Sequence, residues 1–322
     1  MTGGSGYVGS SAIRELASNG HEVLVYDNLS TGHRKLSNGF ELIEADIADR
    51  KKLRGCLQWA DAVMHFAASA YVGESVANPR KYFHNNVEAA LALADAVLES
   101  DVRLFVFSSS CAVYGVPQSL PIVESSPKEP INPYGATKLF FERVLSAYSI
   151  SHRLRYVALR YFNAAGAHPS GEIGEIHTPE THLIPLAIRA ALGTAPPLRI
   201  YGGNMNTPDG TCIRDYIHVS DLASAHLKAL HYLATEGESV ALNLGTGKGS
   251  SIIEILNLIE ETSNLKVPRV FEPPRAGDPP VLFADALKAR EILGWNAQFD
   301  VRQIIADAMR WETQLSDFLR RP

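Results

Sequence analysis

From its start to about residue 162, the chain alternates short apolar runs with longer segments whose apolar side chains recur at every third or fourth position. The runs at 22–27, 40–44, 62–66, 104–108 and 156–161 are largely apolar, as expected of strands buried on both faces. Between them, 10–19, 49–57, 79–99 and 133–150 carry helical spacing. Strands separated by helices cannot pair as hairpins, so the pattern predicts a doubly wound parallel α/β sheet covered on both faces. After residue 163 the alternation loosens into Pro- and Gly-rich connections, with helix-period segments at 219–233, 251–262 and 301–313. A smaller C-terminal α/β domain over 163–322 is therefore expected beside a first domain over 1–162. Val240–Leu244 reads as one more strand, so a segment near 213–246 is expected to return to the first domain.

Composition narrows the classes. With 322 residues, 46% hydrophobic and 20% charged, the chain can bury a large core. A net charge of -5 and scattered Lys/Arg give no footprint for nucleic acid or an anionic membrane, so any phosphate must be held by local groups. No apolar run reaches the roughly 20 residues of a spanning helix, and no secretory leader is visible. Cys56, Cys111 and Cys212 are far apart and lack CxxC spacing, which predicts a reducing, cytoplasmic setting. The eleven histidines contain no HExxH spacing, and no metal is expected in the chemistry.

Gly3, Gly6 and Gly9 are spaced by three and lead directly into helical periodicity. That arrangement gives a tight turn, close approach of a pyrophosphate and a helix N-terminus facing it, the dinucleotide turn of a Rossmann-type sheet. Asp27 closes the next apolar run at about the twenty-residue offset where a carboxylate accepts from the adenosine ribose and repels a 2′-phosphate, which favours NAD over NADP. Asp46, after the following run, is placed either to reach the adenine amino group or to cap a helix. Only Met1 and Thr2 precede Gly3, where a buried strand of about five residues is usual, so the first strand is expected to be truncated.

Tyr134 and Lys138 lie four apart on one helical face. A tyrosine titrating near 10 is a poor base at neutral pH, and a neighbouring ammonium favours its phenolate. Ser110 ends the apolar run at 104–108, at the carboxyl edge where open α/β sheets bind ligands, and can share a substrate hydroxyl proton with the tyrosine. Together with Asp27-Asn28, His65-Phe66-Ala67-Ala68 and Val72-Gly73-Glu74-Ser75, these residues resemble the extended short-chain dehydrogenases/reductases. Arg160-Tyr161-Phe162-Asn163, Gly166-Ala167-His168-Pro169, Asp209-Gly210-Thr211 and Arg214-Asp215-Tyr216-Ile217-His218-Val219 extend the resemblance to UDP-glucose 4-epimerases over nearly the whole chain.

The resemblance implies an isomerase that interconverts UDP-glucose and UDP-galactose through a 4-keto sugar, with NAD retained, in galactose metabolism. Tyr134 would take the 4-hydroxyl proton, Ser110 would orient that hydroxyl, and Lys138 would also hold the nicotinamide ribose. Tyr7, Val8, Asn28, Ile47, Phe66, Ala67, Asn85 and Tyr161 would line the dinucleotide, Asn85 being equally suited to a buried helical polar position. Asn163, Leu183, Tyr201, Arg214, Arg275 and Asp278 would face the nucleotide-sugar, the arginines binding diphosphate oxygens with charge-assisted bonds. A homodimer through the helices at 79–99 and 133–150 is implied as well.

Two positions depart from the family: His182 where many members carry asparagine, and Leu282 where hexose-restricted members carry tyrosine. The smaller Leu282 predicts tolerance of UDP-N-acetylglucosamine, and UDP-pentoses are a further alternative. A sugar 4,6-dehydratase needs an acidic pair where Ser110 is followed by Cys111-Ala112, and a non-enzymatic NAD-binding protein has no use for Tyr134 and Lys138.

Overall fold

The computed structural model describes residues 1–275 and 279–320. Strand β1 (Leu24–Asp27) pairs in parallel with β2 (Glu41–Glu44), while β3 (Ala62–His65), β4 (Leu104–Ser110) and β5 (Arg155–Tyr161) make a second parallel run. Met1 and Thr2 join the two. Thr2 bridges Tyr26 on one side and His65 on the other; its N–H donates to the Met64 carbonyl at 3.0 Å, and its carbonyl accepts from Phe66 N–H at 2.9 Å. Met1 and Thr2 thus lie between β1 and β3.

Beyond β5 the strands are short: β6 (Asn163–Ala165), β7 (Leu198–Tyr201), β8 (Ile213–Arg214) and β9 (Tyr216–His218). β10 (Val240–Leu244) then returns to pair in parallel with β5, giving the sheet order β2-β1-(Met1, Thr2)-β3-β4-β5-β10. Side chains alternate across this sheet. Phe105, Phe107 and Ala158 enter one layer, beneath α2 (Arg50–Leu57), α5 (Ala90–Leu98) and α6 (Pro133–Ser151). Val106, Val157 and Leu159 enter the other, beneath α1 (Tyr7–Ser18) and α8 (Val219–Ala234). Each such side chain contributes about 1.5–3 kcal/mol by its burial.

The second lobe has its own core, in which α7 (Leu183–Ala191), α9 (Ile252–Ser263) and α11 (Val301–Arg320) enclose Ile188, Leu256, Ile259, Ile304 and Ile305. β7 pairs there with β12 (Arg269–Glu272). The pair β11 (Ser250–Ser251) and β13 (Val281–Leu282) flanks β8. Helix α10 (Leu287–Leu293) and Trp295 pack back onto α8, in the layer of the first sheet.

The helix expected at 79–99 is three pieces. α3 (Val72–Ala77) stops at Asn78, whose side chain accepts from Lys81 N–H and starts α4 (Pro79–Phe83) with proline in its first turn. A π-helical turn, His84–Ala89, then connects to α5. Helix α7 escaped periodicity because Pro185 reads as a breaker, yet proline is tolerated in a first turn, where no intrahelical N–H is needed. Among the described residues no helix is long and apolar enough to cross a membrane, and no disulfide joins the cysteines.

Candidate active site

The glycine turn is fixed by close packing. Gly3 sits at φ +75°, and a Cβ there would lie 2.5 Å from Ala67 N; a Cβ on Gly9 would lie 2.2 Å from the Gly3 carbonyl. At Gly6 a Cβ would meet only Gly3 O, at 3.3 Å. Its bareness serves the cleft rather than internal packing. No side chain caps the α1 N-terminus, so its first amides and the positive end of its dipole face outward. Tyr7 donates its hydroxyl to Gly166 O at 2.5 Å, tying this turn to the segment after β6, while Val8 packs into the α1/α8 layer.

Asp27, buried at the end of β1, accepts from Ser5 N–H at 3.0 Å and Leu29 N–H at 2.8 Å; burial raises its pKa against these bonds. Asn28 donates to Asp46 at 2.8 Å, and Asp46 also accepts from Ala48 N–H, so Asp46 both caps a turn and borders the β1–β2 edge. Ile47 turns inward to the α2/α5 layer. Phe66 is half-buried with its ring 4.5 Å from that of His226, and Ala67 backs Gly3. Asn85 lies on the π-helical turn and donates to Asn86, which is buried and bonds Ser69 and the Thr137 hydroxyl. These residues surround the carboxyl edge between β1 and β3. A bare glycine turn, an uncapped helix start and an acidic strand end are what an NAD diphosphate and ribose need, and the residues present fit that group.

Gly135 explains how the catalytic helix meets the sheet. Asn132 caps α6 by accepting from Gly135 N–H at 2.8 Å, and a Cβ on Gly135 would lie 2.3 Å from Ala112 O. Only glycine lets the start of α6 rest on the turn after β4, which brings Tyr134 close enough to Ser110 for its hydroxyl to act on the phenol. Burial pushes the Tyr134 pKa up, the neighbouring Tyr161 adds to the rise, and the Ser110 bond opposes it. Lys138 lies one turn on, buried, donating to Ser108 O at 2.7 Å with Nζ 5.8 Å from the Tyr134 ring centre. Burial brings its pKa down to about 7, against the pull of Glu142. Tyr161 shares a 2.5 Å hydrogen bond with the Ser108 hydroxyl.

Sequence reasoning passed over the support beneath these groups. Glu142, the next helical step after Tyr134 and Lys138, is buried; it accepts from the Ser109 hydroxyl at 2.5 Å and from Arg160 at 2.5 Å. Arg160 continues to Tyr114 at 2.9 Å, and Tyr114 to Asn243 at 2.6 Å, so the network runs from α6 through β5 to β10. The i, i+4, i+8 spacing of Tyr134, Lys138 and Glu142 was the available signal.

The residues expected to face the nucleotide-sugar sit on shorter elements. Asn163 donates through both its backbone and side-chain amides to Asp215 O, each at 3.0 Å. Asp215 is itself buried, accepting from Thr246, Gly247 and Ala284, and anchors β8, β9 and the loop after β10 together. Arg214 ends β8, and its charge acts on the Cys111 thiol, next in sequence to Ser110. Leu282 is its register partner on β13 and packs with Cys111 and Phe162. Arg275 stacks its guanidinium 4.0 Å from the Tyr201 ring centre. Leu183 opens α7 and packs half-buried on the second core. Asp278 lies outside the described residues.

Residues 1–245 match the model of the "NAD dependent epimerase/dehydratase family". Over 316 residues the chain is 48% identical to a UDP-glucose 4-epimerase of Rhizobium leguminosarum bv. trifolii, covering 98% of this chain and 97% of the relative. The structure of UDP-glucose 4-epimerase from Brucella ovis in complex with NAD superposes with a TM-score of 0.94 at 50% identity, covering 96% of each chain. A Stenotrophomonas maltophila UDP-glucose 4-epimerase with bound NAD and formylated UDP-arabinopyranose gives a TM-score of 0.95 at 39% identity, covering 98% of each. With the glycine turn, the parallel sheet and this span of similarity in hand, the chain belongs to the NAD dependent epimerase/dehydratase family.

Proposed function

We propose that this chain is an NAD-dependent UDP-glucose 4-epimerase whose chemistry is carried by Ser110, Tyr134 and Lys138. The observation that carries the reading is the meeting of a half-buried tyrosine, a buried lysine and a strand-end serine at the carboxyl edge, beside the bare glycine turn. NAD, when bound, supplies a cationic ring that accepts a hydride from sugar C4 and returns it. Tyr134 Oη takes the 4-hydroxyl proton and later gives it back, and Ser110 Oγ holds that hydroxyl in line. Lys138, with three donors and one committed to Ser108, keeps two for the tyrosine side of the cleft and a ribose hydroxyl. The resulting 4-keto sugar turns over inside the cleft before reduction from its other face.

Residues 1–162 with the return segment near 213–246 serve the dinucleotide, and 163–322 serve the nucleotide-sugar. Asn163, Leu183, Tyr201, Arg214, Arg275 and Asp278 are its recognition set. UDP-N-acetylhexosamine is a second substrate, favoured by the small Leu282 side chain that stands in register with Arg214. The chain works in the cytoplasm as a homodimer; Phe83, Val87 and Leu91 line an open trough on the outer helices, and Phe140 and Ile150 are exposed on α6. Conversion of UDP-galactose to UDP-glucose followed by NMR tests the reading. Turnover is expected in the wild type and not in Tyr134→Phe; equal rates in both overturn it.

A further inference from the structure

Apart from the catalytic edge, the described residues hold one cluster able to ligate a metal. Glu175, His177, Glu180 and His182 each offer a ligating atom, and the four atoms lie within 4.8 Å of one another. We propose that these four side chains form a site for a divalent transition-metal ion, zinc foremost, which braces the wall of the cleft against the glycine turn.

Charge balance supplies the first argument. The Glu175 and Glu180 side chains are only 5% and 3% exposed. The one arginine nearby, Arg189, is held at 2.7 and 2.9 Å by Glu312 and reaches Glu180 only at 3.7 Å. Two carboxylates so deeply buried need a counter-charge, and the groups facing them are imidazoles. Geometry supplies the second. His177 Nδ1 and His182 Nδ1 converge on the same Glu175 oxygen. His177 Nδ1 stands 2.8 Å from that oxygen, yet neither it nor Glu180 Oε2 makes a hydrogen bond, although both are buried. His182 Nδ1 does hydrogen-bond Glu175, whereas His177 Nδ1 and Glu180 Oε2 are left as unsatisfied ligating atoms within the same cluster, which an ion would take up.

Zinc fits the donor set: two imidazole nitrogens and two carboxylate oxygens suit a borderline ion better than magnesium or calcium. Bonds of about 2.1 Å in a tetrahedron put ligand atoms roughly 3.4 Å apart, so the farthest pair must close by about 1.4 Å at most. That is a side-chain adjustment. The site's place gives the ion its role. The His177 ring meets the Tyr7 ring edge-on at 6.3 Å and the Tyr71 ring at 5.6 Å. Tyr7 belongs to the glycine turn, and His182 directly precedes Leu183 at the start of α7. One ion would therefore lock the loop before α7 to the turn after Thr2 and to the start of α3.

The test uses the full chain, untagged, equilibrated with zinc chloride and dialysed into metal-free buffer, with zinc counted by mass spectrometry. One zinc per chain is expected, with a higher Tm than after chelation, and its loss in His177→Ala/His182→Ala. Cobalt(II) added to the wild type should give tetrahedral ligand-field absorption, a readout that requires no variant to fold. Substoichiometric zinc with no cobalt spectrum overturns the proposal. So does full zinc in the double variant, in particular zinc that disappears instead in His231→Ala, since His21 and His231 form a surface pair 3.1 Å apart.

Discussion

The two sides of the cleft are built differently. On the chemical side, Ser110 ends a seven-residue strand, Tyr134 and Lys138 ride a 19-residue helix, and Glu142 and Arg160 bind helix to sheet from below. On the recognition side, Asn163, Arg214 and Leu282 stand on strands of two or three residues, and Tyr201 ends a four-residue one. The proposed proton-transfer groups are held by long elements whose registers cannot slip without breaking a core. The recognition groups are held by local knots such as Asp215, which can be rebuilt around a different sugar while the sheet stays intact. Substitutions on the first side should therefore act on kcat, and those on the second on KM.

The largest effect is expected from Tyr134→Phe, which removes the proton-transfer oxygen and should lower kcat by about 10²–10⁴-fold with KM little changed. A comparable drop in a recognition-side variant at unchanged KM would erase the distinction. Next, Glu142→Leu leaves Arg160 buried without its carboxylate and should cost about 3–5 kcal/mol in denaturant unfolding, with Arg160→Leu equally harmful alone. The pair replaced together should recover much of that loss. Acid should come third. Burial holds His65 at about 3 and His226 at about 4, whereas in the unfolded chain they titrate near 6.5. These folded pKa values lie below the unfolded one, so the unfolded state binds more protons between about 4 and 6.5. The contribution of these two histidines should rise with pH across that window and level off above it, by about 3 kcal/mol for His226 and about 5 kcal/mol for His65 over their full shifts; urea midpoints at pH 5 and 7 measure it. On the recognition side, Arg275→Ala should raise KM for UDP-galactose about tenfold, with kcat nearly unchanged. Smallest, Leu282→Tyr should cut turnover of UDP-N-acetylglucosamine several-fold and spare UDP-glucose; equal use of both by the two proteins would remove Leu282 from the specificity set.

Legibility in the sequence follows the same division. Strands buried on both faces write themselves as apolar runs, so β1 to β5 and β10 were readable to within two residues, and the glycine turn, Asp27, Ser110, Tyr134 and Lys138 followed from spacing. β8, β11 and β13 are two residues long, below any period, and their pairing depends on Asp215 bonds from distant segments. The π-helical turn was hidden because apolar spacing continues through it. Glu142 is not singled out by the motifs, and Arg160 enters only as part of one; their mutual burial is what shows them as a pair. Glu175, His177, Glu180 and His182 follow neither helical nor known ligand spacing, and a proline within the segment made it read as a connection.

The pairing of β10 with β5 also has a meaning for synthesis. One edge of β5 is closed only by β10, so residues 162–239 must leave the ribosome before that edge can be covered. At about 5–20 residues per second this takes roughly 4–16 s. During that interval the nascent chain presents an apolar parallel strand with open amides and carbonyls, a template for pairing with another chain. Translation speed through the second lobe, and chaperones that shield strand edges, should thus govern how much of this protein reaches its native sheet.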